Sequence, residues 1–541
     1  MALNAFDWAI IIFYMIGMIG LSFFLARGQK TARDYYLGGN KTAPFPIALS
    51  TMATQCSTNS LLGAPAFVAF AAGGGMIWLQ YELAVPFAMI ILMAVIFPIF
   101  RRLKLISLYA YLEKRFDVAT RTIISILFQF IRAFGTGVTV YGISLVLMIC
   151  LNIPFWVAVL MLGGVTIVYD VMGGMRAVIW SDVIQIVVLF GAILTAIGMA
   201  VHLVGGLSVV FDQPTRLRAV DFASHGLGDG HTFGFWPMLI GGLFLYLSYY
   251  GCDQTQAQRE LSTRNLDDTN RALFLDGIMR FPLVLSYCFL GLCLGAYAFL
   301  HPDFVAGLPV NEINEPNYNL AVPVFVFTYF PHGLIGLVMV GLFAAAMSSL
   351  DSTLNALSAL GMQDIVKRYV KKELSGRMEL VLSKLLTVFW GVVCIFFAFF
   401  VGGISDTIIE SINKIGSLVN GPLLAVFVMG MLTRRVNGQG ATGGLIVGFV
   451  LNLLLWKYAP EISWLWWNVI GFFVAYGAGY LISLAFPKPD SARLEGTLFQ
   501  PVHEYASLKA RQKNWRPYYV TLALYGTGIL ILLIIATYGL P

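Results

Sequence analysis

Residues 44–73 read PFPIALSTMATQCSTNSLLGAPAFVAFAAG. The stretch is apolar at both ends and long enough to cross a bilayer as a helix, for which roughly 20 residues suffice. Its centre breaks the apolar rule with Ser50-Thr51-Met52-Ala53-Thr54-Gln55-Cys56-Ser57-Thr58-Asn59-Ser60, closed by Gly63 and Pro65. Hydroxyl and amide side chains compete for a helix's own backbone bonds, and Pro65 has no N–H to donate. A local unwinding here frees carbonyls in the membrane interior. A polar contact between closely approaching helices accounts for the same run equally well.

The surrounding chain makes such a run conspicuous. Of 541 residues, 58% are hydrophobic and 11% charged, whereas a soluble protein carries roughly a quarter charged residues. Apolar stretches of about 20 residues recur almost end to end, without the ten-residue alternation of a membrane β-barrel. Lipid leaves helices as the open-ended solution, so the fold class is all-α and polytopic. About fourteen spans are expected, near 7–27, 44–73, 76–100, 122–151, 153–170, 178–205, 233–257, 272–300, 333–361, 379–401, 407–432, 438–457, 462–486 and 517–540.

The basic residues orient these spans. With the N-terminus outside, inside loops hold Arg27, Lys30, Arg33, Lys41, Arg101, Arg102, Lys104, Lys114, Arg115, Arg259, Arg264 and Arg271. Further on they hold Lys367, Arg368, Lys371, Lys372, Arg377, Arg434, Arg435 and the basic residues from Lys488 to Arg516. Outside loops hold Arg216, Arg218 and Lys457. This asymmetry places both termini outside a plasma (inner) membrane. The first span follows Asp7 with no basic residue before it, which reads as a retained helix and not a cleaved signal. No loop is long enough for a soluble domain, so residues 1–541 form one transmembrane domain. All six cysteines fall in apolar segments and read as buried thiols, not a disulfide framework.

Two further segments break the apolar rule. The seventh span contains Tyr249-Tyr250-Gly251-Cys252-Asp253-Gln254-Thr255-Gln256-Ala257-Gln258-Arg259. Two interrupted spans five helices apart are what an inverted-repeat transporter requires, with its solute site between them. The bland reading is the cytoplasmic end of a span. The ninth span ends Ala344-Ala345-Ala346-Met347-Ser348-Ser349-Leu350-Asp351-Ser352-Thr353-Leu354-Asn355. Ala345, Ser348, Ser349 and Ser352 share one helical face, where serine oxygens offer a monovalent cation hard, neutral ligands. Serines bonding back to their own helix fit that segment as well.

Taken together, these segments resemble the sodium/solute symporter family. Asp34-Tyr35-Tyr36-Leu37-Gly38-Gly39, the run from Tyr169 through Gly173-Gly174 to Gln185, and Asp253-Gln254-x-x-x-Gln258-Arg259 extend the resemblance from about residue 34 to Arg435. The resemblance implies a leucine-transporter-like core of two inverted five-helix repeats, about 44–205 and 233–432. Helices at about 7–27, 438–457, 462–486 and 517–540 are then peripheral. It also implies a sodium site made by the carbonyls of Ala53, Cys56 and Ala345 and the hydroxyls of Ser348 and Ser349. A second sodium site, as in some relatives, falls on Asp182, Ser348, Asp351 and Ser352, with Asp351 departing from the family's serine. For the solute the resemblance points to Gln55, Ser57, Thr58, Ser60, Gln80, Glu82 and Asp253. The carboxylate-binding arginine of sialic acid transporters falls on Gly135, with Arg132 one turn before it.

The function this implies is sodium-coupled symport by alternating access. Glu82 with Asp253 favours a sugar or other hydroxyl-rich solute; a carboxylate or amino acid at Arg132, coupled to sodium or protons, is the alternative. A membrane-embedded sensor on the same scaffold is more remote. No H-E-x-x-H cluster or phosphate loop occurs and the six histidines are scattered, so no enzyme activity, organic cofactor or nucleic-acid partner is expected. The expected partners are the solute, Na⁺ as coupling ion and the lipid bilayer, around a monomer or weak oligomer. Remaining charges have local readings. Asp276 with Arg280, and Glu410 with Lys414, sit at the four-residue spacing of intrahelical pairs, although the resemblance also puts Arg280 near the family's sugar-contacting lysine; Trp464, Trp466 and Trp467 form an interfacial belt.

Overall fold

Apolar segments that close their backbone bonds internally can only be helical in lipid, and the described residues contain helices, turns and isolated bridges but no strand. The computed structural model describes residues 3–539 apart from 57, 311–314, 371–373, 401–407 and 501–512. Among these, 11 helices are long and apolar enough to cross a membrane, fewer than the spans expected. The differences fall at three places.

Two expected spans are broken into half-length helices in series: α2 (Pro44–Gln55) with α3 (Thr58–Phe70), and α7 (Gly242–Gly251) with α8 (Gln254–Leu261). At the third place, the expected spans 153–170 and 178–205 follow one another without a loop, as two helical stretches that together make up α6 (Phe155–Leu203), of 49 residues. At 1.5 Å per residue they sum to about 70 Å, more than twice the hydrocarbon thickness, and they meet in a kink at Gly174, which is itself not helical (φ 53°, ψ −155°). Only glycine adopts that conformation cheaply. A Cβ there also lies 2.6 Å from the carbonyl oxygen of Tyr35, so the short helix Ala32–Leu37 seals the bend.

Around these elements run α1 (Ala5–Leu25), α4 (Met76–Leu103), α5 (Val118–Leu151), α9 (Leu266–Leu300) and α10 (Leu334–Leu360). α11 (Gly376–Phe400), α12 (Ile408–Leu432), α13 (Gly438–Tyr458), α14 (Trp464–Leu484) and α15 (Arg516–Tyr538) follow. α10 packs against α6, α1 and α2, and α9 against α2, α3 and α6, so both flank the first break, and α10 also packs against α8 of the second. α12, α13 and α14 pack against one another. Gly421 of α12 permits this: a Cβ there lies 2.1 Å from the Asn468 oxygen of α14.

Asp7 of α1 is fully buried. One of its oxygens accepts the backbone N–H groups of Gly333 (2.6 Å) and Gly336 (3.0 Å). These are orphan donors at the start of α10, so a carboxylate from a distant helix serves as its N-terminal cap. His332 Nδ1 lies 2.6 Å from the other oxygen.

The bend gives a stability test. Gly174→Ala is expected to cost about 1–3 kcal/mol through strain and the clash with Tyr35, seen as a lower Tm in detergent. Gly205→Ala, at a positive φ of 89° but with nothing within 4 Å, isolates the strain component, and an equal loss at both positions refutes the packing argument.

Candidate functional site

The first break lies where the polar run placed it. α2 ends at Gln55, Cys56 leaves helical geometry (φ −80°, ψ 67°), and α3 resumes at Thr58. Helix interruption inside lipid needs substitute partners for the freed groups, and α10 supplies them. Ser348 Oγ donates to the carbonyls of Ala53 (3.3 Å) and Ala345 (3.1 Å), and Ser349 Oγ to those of Thr54 (3.2 Å) and Ala345 (3.5 Å). Of the five expected sodium ligands, Ala53, Ala345, Ser348 and Ser349 meet here, with Cys56 at the break itself. Thr54 carbonyl joins them and was not expected.

The second break is at Cys252 and Asp253. Asp253 caps α8, its Oδ1 accepting from Thr255 N (2.7 Å) and Thr255 Oγ1 (2.5 Å). Its other oxygen lies 3.5 Å from Arg132 Nη1 of α5, and Arg132 Nη2 donates to Thr255 Oγ1 (3.2 Å). Between the breaks is a cavity of about 240 Å³, just below the roughly 300–1,000 Å³ usual for drug-sized ligands. Of the residues the resemblance pointed to, Gln55, Ser60, Glu82, Arg132 and Asp253 line it, and Ser349 puts the cavity beside the serine pair. Ser57 lies outside the described residues, as do the side chains of Thr58 and Glu410.

Three expectations change. Gln80 does not line the cavity: fully buried, it donates to the Phe233 carbonyl (2.8 Å) and accepts from Asp221 N–H (3.2 Å), fastening a connecting loop. Glu82 lines the cavity but is engaged. Arg280 Nε lies 3.1 Å from its Oε2, and Tyr246 donates to Oε1 at 3.1 Å. The intrahelical pairing of Asp276 with Arg280 is therefore absent; Arg280 reaches across to α4, and neither Asp276 oxygen has a hydrogen-bond partner among the described residues. Four-residue spacing permits an ion pair but does not select it over a better-placed carboxylate on another helix. Arg280, which also donates to Cys56 Sγ at 2.9 Å, thus ties the break to α4 and α9. Its sequence signals were an intramembrane charge and the resemblance to the family's sugar-contacting lysine position, neither of which named Glu82 as its partner.

Below the serine pair lies a fully buried charge cluster. Asp182 Oδ2 accepts from Ser50 Oγ (2.5 Å) and lies 3.2 Å from Arg259 Nη2; Arg259 also contacts Thr54 and Ser352. Asp351 accepts from Tyr169 (2.5 Å), Ser181 (3.3 Å) and Ser352 (3.0 Å). The expected second-site residues Asp182, Asp351 and Ser352 therefore share one network, with Ser348 accepting through its carbonyl from Ser352. Arg259 sits in their midst, which the sequence reading had placed in a loop. Asp170, bonded to Asn355 at 3.4 Å, adds a third buried carboxylate to a cluster whose cation is Arg259.

The Glu82–Arg280 pair generates a test. Arg280→Gln strands a buried carboxylate and is expected to cost about 3–5 kcal/mol, whereas Glu82→Gln with Arg280→Gln together costs less than Arg280→Gln alone. Thermal unfolding across this double-mutant cycle measures it, and additive losses exclude a direct pair.

A family model described as the sodium:solute symporter family matches residues 35–448. The human sodium-coupled monocarboxylate transporter 1 is 29% identical over 433 residues, covering 80% of this chain and 69% of its own. The sodium/sialic acid symporter of Proteus mirabilis is 28% identical over 494 residues, covering 90% and 97%. A solved structure of a Na⁺-coupled sialic acid symporter in a substrate-bound outward-open state superposes with a TM-score of 0.79 at 26% identity, covering 90% of this chain and 99% of that one.

Proposed function

The chain belongs to the sodium:solute symporter family, and on that premise we propose that it couples sodium entry to uptake of a small organic carboxylate by alternating access. It is a transporter and not an enzyme. The observation that carries the solute class is the state of the cavity's charges. Glu82 is committed to Arg280 and Tyr246, which leaves it ill-suited to hold sugar hydroxyls and turns the reading from a sugar to an acid. Arg132 meets its carboxylate, Asp253, at only 3.5 Å, and its buried Nε has no hydrogen-bond partner among the described residues. A solute carboxylate fits that guanidinium.

The primary sodium ion belongs where Ser348 and Ser349 meet the carbonyls of Ala53 and Ala345, with the Cys56 carbonyl, at the adjoining break, as the fifth ligand. Bridging α2 and α10, it stabilises the solute-competent arrangement of both and leaves when the helix bundles rock. Three buried carboxylates around Arg259 favour a second cation, sodium or proton, among Asp182, Ser348, Asp351 and Ser352, since uncompensated buried charge is costly. Energetics favour it too. A carboxylate entering with one Na⁺ moves no net charge and draws only on the sodium gradient, roughly 1.4 kcal/mol per tenfold. A second cation adds another gradient share and about 2.3 kcal/mol per 100 mV of potential.

The topology follows the same reading. Counting α6 as two passes and each broken pair as one makes about fourteen passes, with both termini outside and core repeats near 44–205 and 233–432.

Proteoliposome uptake of labelled carboxylates, sugars and amino acids tests this, with sodium outside and then with potassium replacing it. Sodium-dependent uptake of a carboxylate is expected, falling at least tenfold in Ser348→Ala and in Arg132→Gln. Uptake of a neutral sugar unaffected by Arg132→Gln overturns the solute class. Uptake that ignores sodium but follows an imposed proton gradient overturns the sodium site.

A further inference from the structure

A second cavity, of about 400 Å³, lies far from the breaks, where α4 and α8 end and α9 begins. Arg33, Arg101, Arg102, Lys104 and Arg264 line it, and no carboxylate does. These cations come from three separate segments. A topogenic excess of basic residues explains why each segment is basic; it does not require them to converge on one concavity. Their pairing is also uneven. Arg264 is held by Asp268 at 2.7 Å, but Arg33, Arg101 and Lys104 form no ion pair with a described carboxylate. Arg33 bonds the amide oxygen of Asn40 (2.9 Å). Arg101 bonds neutral oxygens: Thr269 Oγ1 (2.9 Å) and the carbonyls of Glu260 (3.0 Å) and Thr263 (2.9 Å). Phe100, Leu105, Leu261 and Leu266 complete the wall, giving apolar surface beside the positive charge.

We infer that this cavity is a binding site for a phosphate-bearing anion at the cytoplasmic boundary of the bilayer, that side being assigned by the orientation proposed above. Several cations around an apolar-edged pocket between transmembrane helices suit a phosphate monoester or diester, as borne by anionic lipid headgroups or by soluble phosphates. Arg101 gives the site reach. The guanidinium that faces the cavity also holds the carbonyl end of α8, the inner half of the broken helix, so an anion drawn to Arg101 acts at one remove on the element that flanks the solute cavity.

The test uses the full chain in nanodiscs of phosphatidylcholine with phosphatidylglycerol, with retained lipid read by native mass spectrometry. Arg33→Gln with Lys104→Gln removes two cavity charges while sparing Arg101, whose bonds are structural. Retention of phosphatidylglycerol is expected to weaken about thirtyfold, the effect of two surface charges on anionic-lipid binding. Arg434→Gln with Lys488→Gln removes two exposed charges elsewhere and is expected to change it little. Inorganic phosphate titrated into phosphatidylcholine-only nanodiscs separates the sources. Binding of phosphate that the cavity variant abolishes assigns a soluble phosphate; retention of the lipid alone assigns a headgroup. Equal retention by wild type and the cavity variant, or equal loss in both double variants, overturns the site.

Discussion

A backbone group stripped of its helical partner inside lipid has no water to turn to, and this constraint organises the whole molecule. Two helices are broken where lipid offers no partner, the first repaired from another helix and the second at its own cap. The last carbonyls of α2 are met by Ser348 and Ser349 of α10, and the Thr255 amide of α8 by Asp253. Repair by hydroxyls has a chemical by-product. A serine that donates to a carbonyl presents its oxygen to the same space, so the device that makes the break tolerable also assembles a set of neutral oxygens. A cation that binds there takes the place of the hydroxyl protons on those carbonyls.

The same economy governs the charges. Three ion pairs near the cavity run across helices and not along one: Glu82 of α4 with Arg280 of α9, Asp253 with Arg132 of α5, Asp182 of α6 with Arg259 of α8. Such pairs add little net stability because desolvation offsets attraction. Their geometry, however, fixes which helix surfaces face one another, and a relative movement of helices requires the pairs to part or to travel together. The 3.5 Å contact of Arg132 with Asp253 is the loosest of the three, and it borders the solute cavity.

Much of this was legible in the sequence, for physical reasons. Hydropathy and the distribution of basic residues locate spans because lipid acts on each segment separately. The run Ser50–Ser60 and the serines of α10 stood out because polar residues are costly there, and they meet in the structure. What the sequence hid was partner choice. Gln80 was placed at the solute by resemblance, yet its side chain turns to the Phe233 carbonyl. Arg280 was assigned to Asp276 by spacing but pairs with Glu82. Arg259 read as a loop cation and is wholly buried. Spans 153–170 and 178–205 are helical as expected, but the sequence did not show that they meet without a loop, in a kink at Gly174 that Tyr35 packs against. In each case the answer depended on a surface contributed by a distant part of the chain.

The buried carboxylate of Asp7 shows what such distance means for biosynthesis. Its amide partners at Gly333 and Gly336 lie 326 and 329 residues further along. At roughly 5–20 residues per second of translation, α1 is complete for on the order of tens of seconds before the start of α10 exists. Through that interval the acid stays hydrated at the membrane surface or finds a temporary host. α1 can pack on α6 earlier, but its seat is complete only once α10 is made.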